Sequence, residues 1–208
     1  MPRYLTDQDV TRFRAELCKV ATERFARFGY EGVTMRQLAE ALGCSPKTPY
    51  RYFKDKADIL ATVRAQAFAK FAKALEQAGK APPAERGRRS IEAYFNFALK
   101  NPHAYRIMFD IDVPLDDCHP ELTAAADHAA RYITKGAEQM KAAGLIDADP
   151  QLFGWSMWAT LHGIVMLHRS GMLAHGPGHK VLAAFHAALM MKGATGKGMG
   201  KKAKRKGS

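Results

Sequence analysis

The stretch from Thr34 to Lys56 constrains this chain more than any other. Thr34-Met35-Arg36-Gln37 has the form of a capping box, in which the threonine hydroxyl accepts from the Gln37 amide and the glutamine reaches back. Val33 and Leu38 occupy the positions of a hydrophobic staple, and Met35, Leu38, Ala39 and Leu42 mark one buried stripe. Gly43 supplies a left-handed turn residue, and Ala39 is small enough to let the next helix pack closely. That next segment opens with Ser45 as cap and Pro46 at the first helical position. Pro49 complicates it, because a proline there removes an early helical hydrogen bond and pushes Thr48 away from helical angles. Either the helix bends in its first turn, or Ser45 to Thr48 is a separate turn and the helix proper starts at Pro49. Tyr50 and Phe53 can face the core, which leaves Lys47, Thr48, Arg51 and Tyr52 pointing outward. Two short helices joined by a glycine turn, the second crowded with Lys, Arg, Thr and Tyr, read as a helix-turn-helix, a device for laying a helix in the major groove of DNA.

The rest of the chain repeats the three-and-four spacing of apolar residues and nowhere alternates, so the fold class is all-α, with about nine helices. Residues 1–9 read as an arm. From Val10, the residues Phe13, Leu17, Val20, Phe25 and Phe28 line one helix face, closed by Gly29. Asp55 to Asp58 caps a long helix carrying Ile59, Leu60, Val63, Phe68, Phe71 and Leu75. A proline-rich loop at Lys80–Ala84 precedes helices over 86–100, 103–109, 121–143, 150–171 and 179–191. The organisation expected is a helix-turn-helix domain at 1–64, a ligand-binding and dimerisation domain at 65–192, and a disordered basic tail at 193–208.

The formal charge of +12 is uneven. Residues 1–64 hold twelve Lys/Arg against eight Asp/Glu, residues 65–191 thirteen against twelve, and the tail from Lys192 seven against none. A basic excess at both ends favours polyanions without choosing among them. Cys18, Cys44 and Cys118 are scattered, which argues for a reducing compartment and against a disulfide framework or zinc site. The polar N-terminus has no signal-peptide run, and the apolar stretch Leu152–Leu173 is interrupted by Ser156, Thr160, His162, His168 and Arg169. A cytoplasmic protein with no membrane partner is expected. Asp116-Asp117-Cys118-His119 contains metal-ligand types, but the spacing is too tight for one helical site. No nucleophile has a supporting base, and there is no phosphate loop, so no catalytic residue, metal or cofactor is assigned.

Several of these segments together resemble the TetR family of bacterial transcriptional repressors. The residues that carry the likeness are Phe25-Ala26-Arg27-Phe28-Gly29-Tyr30, Thr34, Leu38-Ala39-Glu40-Ala41-Leu42-Gly43, Tyr50-Arg51-Tyr52-Phe53-Lys54-Asp55-Lys56 and Ile59-Leu60. Trp158-Ala159-Thr160-Leu161-His162-Gly163, with Tyr94–Ala98 and Asn101–Arg106 earlier, is similar to a subgroup with a Trp…His-Gly signature. The resemblance implies an all-helical homodimer joined through its last two helices, a DNA-binding head, and a small-molecule inducer held in the body. Pro49 departs from the family, where an aliphatic residue is more common.

Candidate DNA contacts divide by chemistry. Lys47 and Arg51 suit guanine O6 and N7, and Arg36 suits a base edge or phosphate. Lys56 adds charge to a helix N-terminus, Thr34 offers a hydroxyl or nearby amides to phosphate, and Ser45 and Thr48 flank the recognition segment. Tyr50 and Tyr52 resemble family positions that touch the backbone or base methyls. In the body, Phe97, Tyr105, Met108, Phe109, Trp155, Met157, Trp158, His162 and Met166 form an aromatic and methionine load. Spacing alone reads them as packed core, and the resemblance reads them as a pocket for an apolar or planar inducer. The function expected is a repressor of transcription, bound to a double-stranded operator and released by that ligand. An activator or an architectural DNA binder would share the same head.

Overall fold

The computed structural model describes residues 6–109 and 119–195. Among the described residues eight α-helices follow one another: α1 (Asp7–Phe28), α2 (Met35–Ala41), α3 (Lys56–Gly79), α4 (Pro83–Lys100), α5 (Pro102–Phe109), α6 (Pro120–Ala142), α7 (Pro150–Arg169) and α8 (His179–Ala194). A single 3₁₀ turn, Pro49–Arg51, stands between α2 and α3. No strand occurs among the described residues, and no helix there is long and apolar enough to cross a membrane.

The described residues fall into two compact units. One comprises those of Met1–Phe71 with Lys100–His128, the other those of Ala72–Leu99 with Ala129–Ser208. In the first, α1 buries Leu17, Cys18, Ala21, Phe25 and Ala26. Val33, Leu38, Ile59, Leu60, Val63 and Phe71 complete an apolar centre from which water is excluded. The short helix α5 packs on α1 and buries Tyr105, Ile107 and Met108. In the second unit, α7 and α8 pair, and Phe153, Ile146, Ala137 and Ala194 form a core ringed by Met140, Met157, Met190 and Met191. Gly154 lets α7 approach α6 closely, for a Cβ there would lie 2.9 Å from the Ile133 carbonyl oxygen and 3.0 Å from the Thr134 Cα.

Four expectations need correction. Helix α1 starts at Asp7, not near Val10, because Thr6 and Asp9 form a capping box that the apolar spacing does not reveal. Pro83 is taken into α4 at its first turn, where a missing amide costs nothing. Helix α8 runs through Gly193 and Ala194, which composition assigns to the tail. Ala194 is buried, and its carbonyl accepts from the Asp147 amide at 2.7 Å. The recognition helix is the largest correction: in place of an α-helix there is the Pro49–Arg51 turn alone. Residues 196–208 of the basic tail lie outside the described residues, as do Asp116, Asp117 and Cys118.

Candidate nucleic-acid interface

The candidate DNA-reading segment, Ser45–Tyr52, is built outward from α2. Thr34 caps that helix: its hydroxyl accepts from the Gln37 amide at 3.2 Å, and Gln37 Oε1 accepts from the Thr34 amide at 2.8 Å. At the far end Gly43 takes φ +64, and the Cys44 amide donates back to the Ala39 carbonyl at 3.0 Å. The chain reverses there and Ser45 to Thr48 forms a turn of its own, closed by the Thr48 amide on the Ser45 carbonyl at 2.8 Å. Of the two arrangements that Pro49 allows, the structure adopts the second. The Tyr52 and Phe53 amides both donate to the Pro49 carbonyl, at 3.0 and 3.1 Å, and the Pro49 ring is fully buried. Proline thus fills the aliphatic role while tightening the backbone to one 3₁₀ turn.

This geometry turns Ser45, Lys47, Tyr50 and Arg51 to solvent, with Tyr50 56% exposed, and leaves Thr48 half-buried. Tyr50 is therefore not the core residue that its spacing allows. Its place inside is taken by Pro49 and Phe53. Tyr52 lies against α1, its ring stacked on that of Phe13 at 4.4 Å. Arg36 is exposed and pairs with Glu40 at 2.8 Å, a helical i,i+4 bridge that solvent weakens.

Lys56 is more committed than its place at the start of α3 suggests. Its ammonium donates to the Tyr30 carbonyl at 2.9 Å, lies 4.0 Å from the centre of the Tyr30 ring, and is 4.0 Å from Glu31. It ties the α1–α2 connection to the N-terminus of α3. Burial, with Asp55 and Glu31 nearby, pushes the Tyr30 phenol above its ordinary range, so it stays neutral beneath that ammonium. Asp55 caps α3 by accepting from the Asp58 amide at 2.8 Å, and Asp58 accepts from the Lys54 amide at 3.0 Å. Arg14, which donates to the Tyr52 carbonyl from α1, carries no signal in the sequence, and Tyr30 stands in the family motif without its contact to Lys56 being foreseeable from it.

The residues expected to line a ligand pocket are divided between the two units. Tyr105, Met108 and Phe109 belong to the first, where the Tyr105 and Phe109 rings meet edge-on at 4.9 Å and Phe109 meets Phe68 at 5.9 Å. Phe97, Trp155, Trp158, His162 and Met166 belong to the second. There Phe97 is buried, Trp158 and His162 are half-buried, and the Trp158 indole N–H donates to the Tyr94 hydroxyl at 3.1 Å. Trp155 and Met166 lie on the exposed side of α7, although Trp155 leans on Trp158 at 4.9 Å. Among the described residues no group of three or more His, Cys, Asp or Glu is placed to hold a metal ion.

Comparison with known proteins agrees with this arrangement. The profile described as bacterial regulatory proteins, tetR family, matches residues 17–63, which hold α2 and the reading segment. The profile described as tetracyclin repressor-like, C-terminal domain, matches residues 87–191. The HTH-type transcriptional activator FasR of Mycolicibacterium smegmatis is 27% identical over 101 residues, 48% of this chain and 46% of FasR, so the match spans under half of that relative. A protein of unknown function from Rhodococcus sp. RHA1 shares the fold with a TM-score of 0.76 at 24% identity, over 88% of this chain and 95% of that one. AibR, solved in complex with isovaleryl coenzyme A and operator DNA, shares it at 0.67 and 18% identity, over 86% and 97%. With both profiles in the family's order, and the C-terminal one spanning half of its length, the chain belongs to the TetR family of bacterial transcriptional regulators.

Proposed function

We propose that the chain is a homodimeric regulator that reads operator DNA through Ser45–Tyr52 and changes its DNA affinity when a small apolar ligand binds. One observation carries the DNA reading. Lys47, Tyr50 and Arg51 are exposed together on a turn whose opposite side is closed by Pro49, Phe53 and Phe13. Lys47 and Arg51 supply donors for guanine edges, Tyr50 an aromatic face for a thymine methyl, and Thr34, Arg36, Ser45 and Thr48 polar contacts to phosphate. Tyr52 and Lys56 serve mainly by holding this surface in place, and Lys56 adds positive potential beside it. The test is a gel-shift series on the region upstream of the chain's own gene. A sequence-specific band at moderate salt is expected, and its absence would sink the reading.

For the dimer, the supporting observation is the apolar face that α7 and α8 leave open: Leu152, Trp155, Met166 and Leu167 on one helix, Val181, Phe185 and Leu189 on the other. Trp155 and Met166 fit that interface better than a pocket. Phe97, Trp158 and His162 remain the ligand candidates of the second unit, with Tyr105, Met108 and Phe109 those of the first. Inducer and operator then oppose each other, and by linkage each weakens the other equally. Planar aromatic compounds are the first class to titrate against a preformed DNA complex; isovaleryl coenzyme A, the ligand in the AibR complex, joins a short apolar acyl chain to a large charged carrier and serves as the contrasting second class. Release of DNA marks a repressor. The name of FasR favours a second reading, an activator, in which ligand would strengthen the complex.

A further inference from the structure

A three-residue 3₁₀ turn cannot hold its own orientation. It closes few hydrogen bonds of its own, and helical segments of that length do not persist in water. The direction in which Lys47, Tyr50 and Arg51 point must therefore be set by whatever grips the segment at its exit. Two side chains of α1 do so. The Phe13 ring stacks on Tyr52, their planes 29° apart. Arg14 donates from Nη1 to the Tyr52 carbonyl, and its guanidinium carbon lies 4.1 Å above the centre of the Phe53 ring. Arg14 thus engages backbone and ring at once, immediately after the two exposed residues Tyr50 and Arg51. It is half-buried, unlike the exposed cations of the reading surface.

We propose that Arg14 is a positioning residue for DNA recognition. It fixes Tyr52 and Phe53 against α1 so that Lys47, Tyr50 and Arg51 are presented in one orientation, and it adds no phosphate contact of its own. This rests on the DNA-reading function proposed above.

The test uses the full chain as wild type, Arg14→Ala and Arg14→Lys, titrated against an operator duplex and a scrambled duplex over a range of salt. Lysine places its ammonium near the position of the arginine's guanidinium carbon, where it can donate to the Tyr52 carbonyl and face the Phe53 ring. In Arg14→Ala, affinity for the operator should fall about tenfold while affinity for the scrambled duplex is unchanged. Arg14→Lys should recover most of the loss, and the salt slope should be the same in all three. A slope smaller by about one in Arg14→Ala would make Arg14 a phosphate contact and overturn the proposal. Equal discrimination by wild type and both variants would overturn it too. So would a loss in Arg14→Ala that is matched on the scrambled duplex and by a lower active fraction, with no rescue by lysine, for that is a folding effect. A wild type that does not discriminate between the duplexes overturns the DNA reading itself, which separates the two failures.

Discussion

At the scale of single residues, the head depends on a few positions whose physics can be isolated. Gly43 adopts φ +64 with open space where a Cβ would project, so its substitution by alanine meets no clash and costs only the left-handed backbone, about 1–2 kcal/mol. Gly154 is the opposite case. Its φ is ordinary for a helix, but alanine there would press on the backbone of Ile133 and Thr134, and overpacking of this kind costs about 1–3 kcal/mol. Urea unfolding of the two variants should show Gly154→Ala as the more destabilised; the reverse order would show that α6 and α7 separate without penalty. Thr34→Ala should cost about 1 kcal/mol through loss of the cap, measured by the same titration. The Thr34 box, the Gly43 turn and the Asp55 cap were all legible in the sequence, because each is a local pattern of residue types at fixed spacing. The engagement of Lys56 with Tyr30, and of Arg14 with Tyr52, was not. These are contacts across 26 and 38 positions, and no local pattern encodes them.

At the scale of elements, spacing recovered each α-helix of the described residues, and the three largest boundary differences have a cause. Thr6 and Pro83 extend their helices by capping and by proline's fitness for a first turn, signals independent of the apolar stripe. Ala194 is held in α8 by burial and by the Asp147 amide, which a glycine- and lysine-rich composition hides. The reading segment was legible as an ambiguity, since two prolines three positions apart allow a bent helix or a late turn. Packing of Pro49 into the core decides for the turn. An element so short should tolerate loss of its exposed side chains without unfolding. Arg51→Ala is therefore expected to leave the thermal midpoint unchanged and to weaken operator binding by about 1–3 kcal/mol. Fluorescence anisotropy on the operator, beside a melting curve, checks both. A variant that melts earlier and binds as before would place Arg51 in the fold rather than at the DNA.

The junction of α7 and α8 predicts a pH dependence. His179 opens α8, its ring 4.7 Å from that of His168 near the end of α7 and 5.1 Å from Phe95. Partial burial, then His168 and Lys180, hold its imidazole below the ordinary range. The unfolded chain takes up this proton near pH 6.5 and the folded chain resists it, so the unfolded state binds more protons as the pH falls. The contribution to stability is full above about pH 6.5 and declines below it. His179→Phe, which suits the neighbouring Phe95, should lose less stability than the wild type between pH 7.5 and 5.5. Parallel pH dependences in the two proteins would remove His179 as the cause.

At the scale of the whole molecule, the exposed apolar residues of α7 and α8 make the oligomeric state the property to test. Val181, Phe185 and Leu189 recur every four residues on α8 and are 62%, 63% and 50% exposed. They form a continuous apolar stripe, and a soluble chain seldom leaves such a patch uncovered. A second copy pairing its own α7 and α8 would bury the stripe on both sides and would bring two reading segments into one molecule. If that is the role of the face, Phe185→Asp combined with Val181→Asp should give a monomer by sedimentation, and a thermal midpoint no longer dependent on protein concentration. The wild type should sediment as a dimer at micromolar concentration. The double variant should keep the fold of its head and weak binding to a half-site, yet lose affinity for an operator with two half-sites about one helical turn apart, roughly 34–36 Å. A monomeric wild type at tens of micromolar, or a double variant with undiminished affinity for the two-half-site operator, would assign the face to another partner.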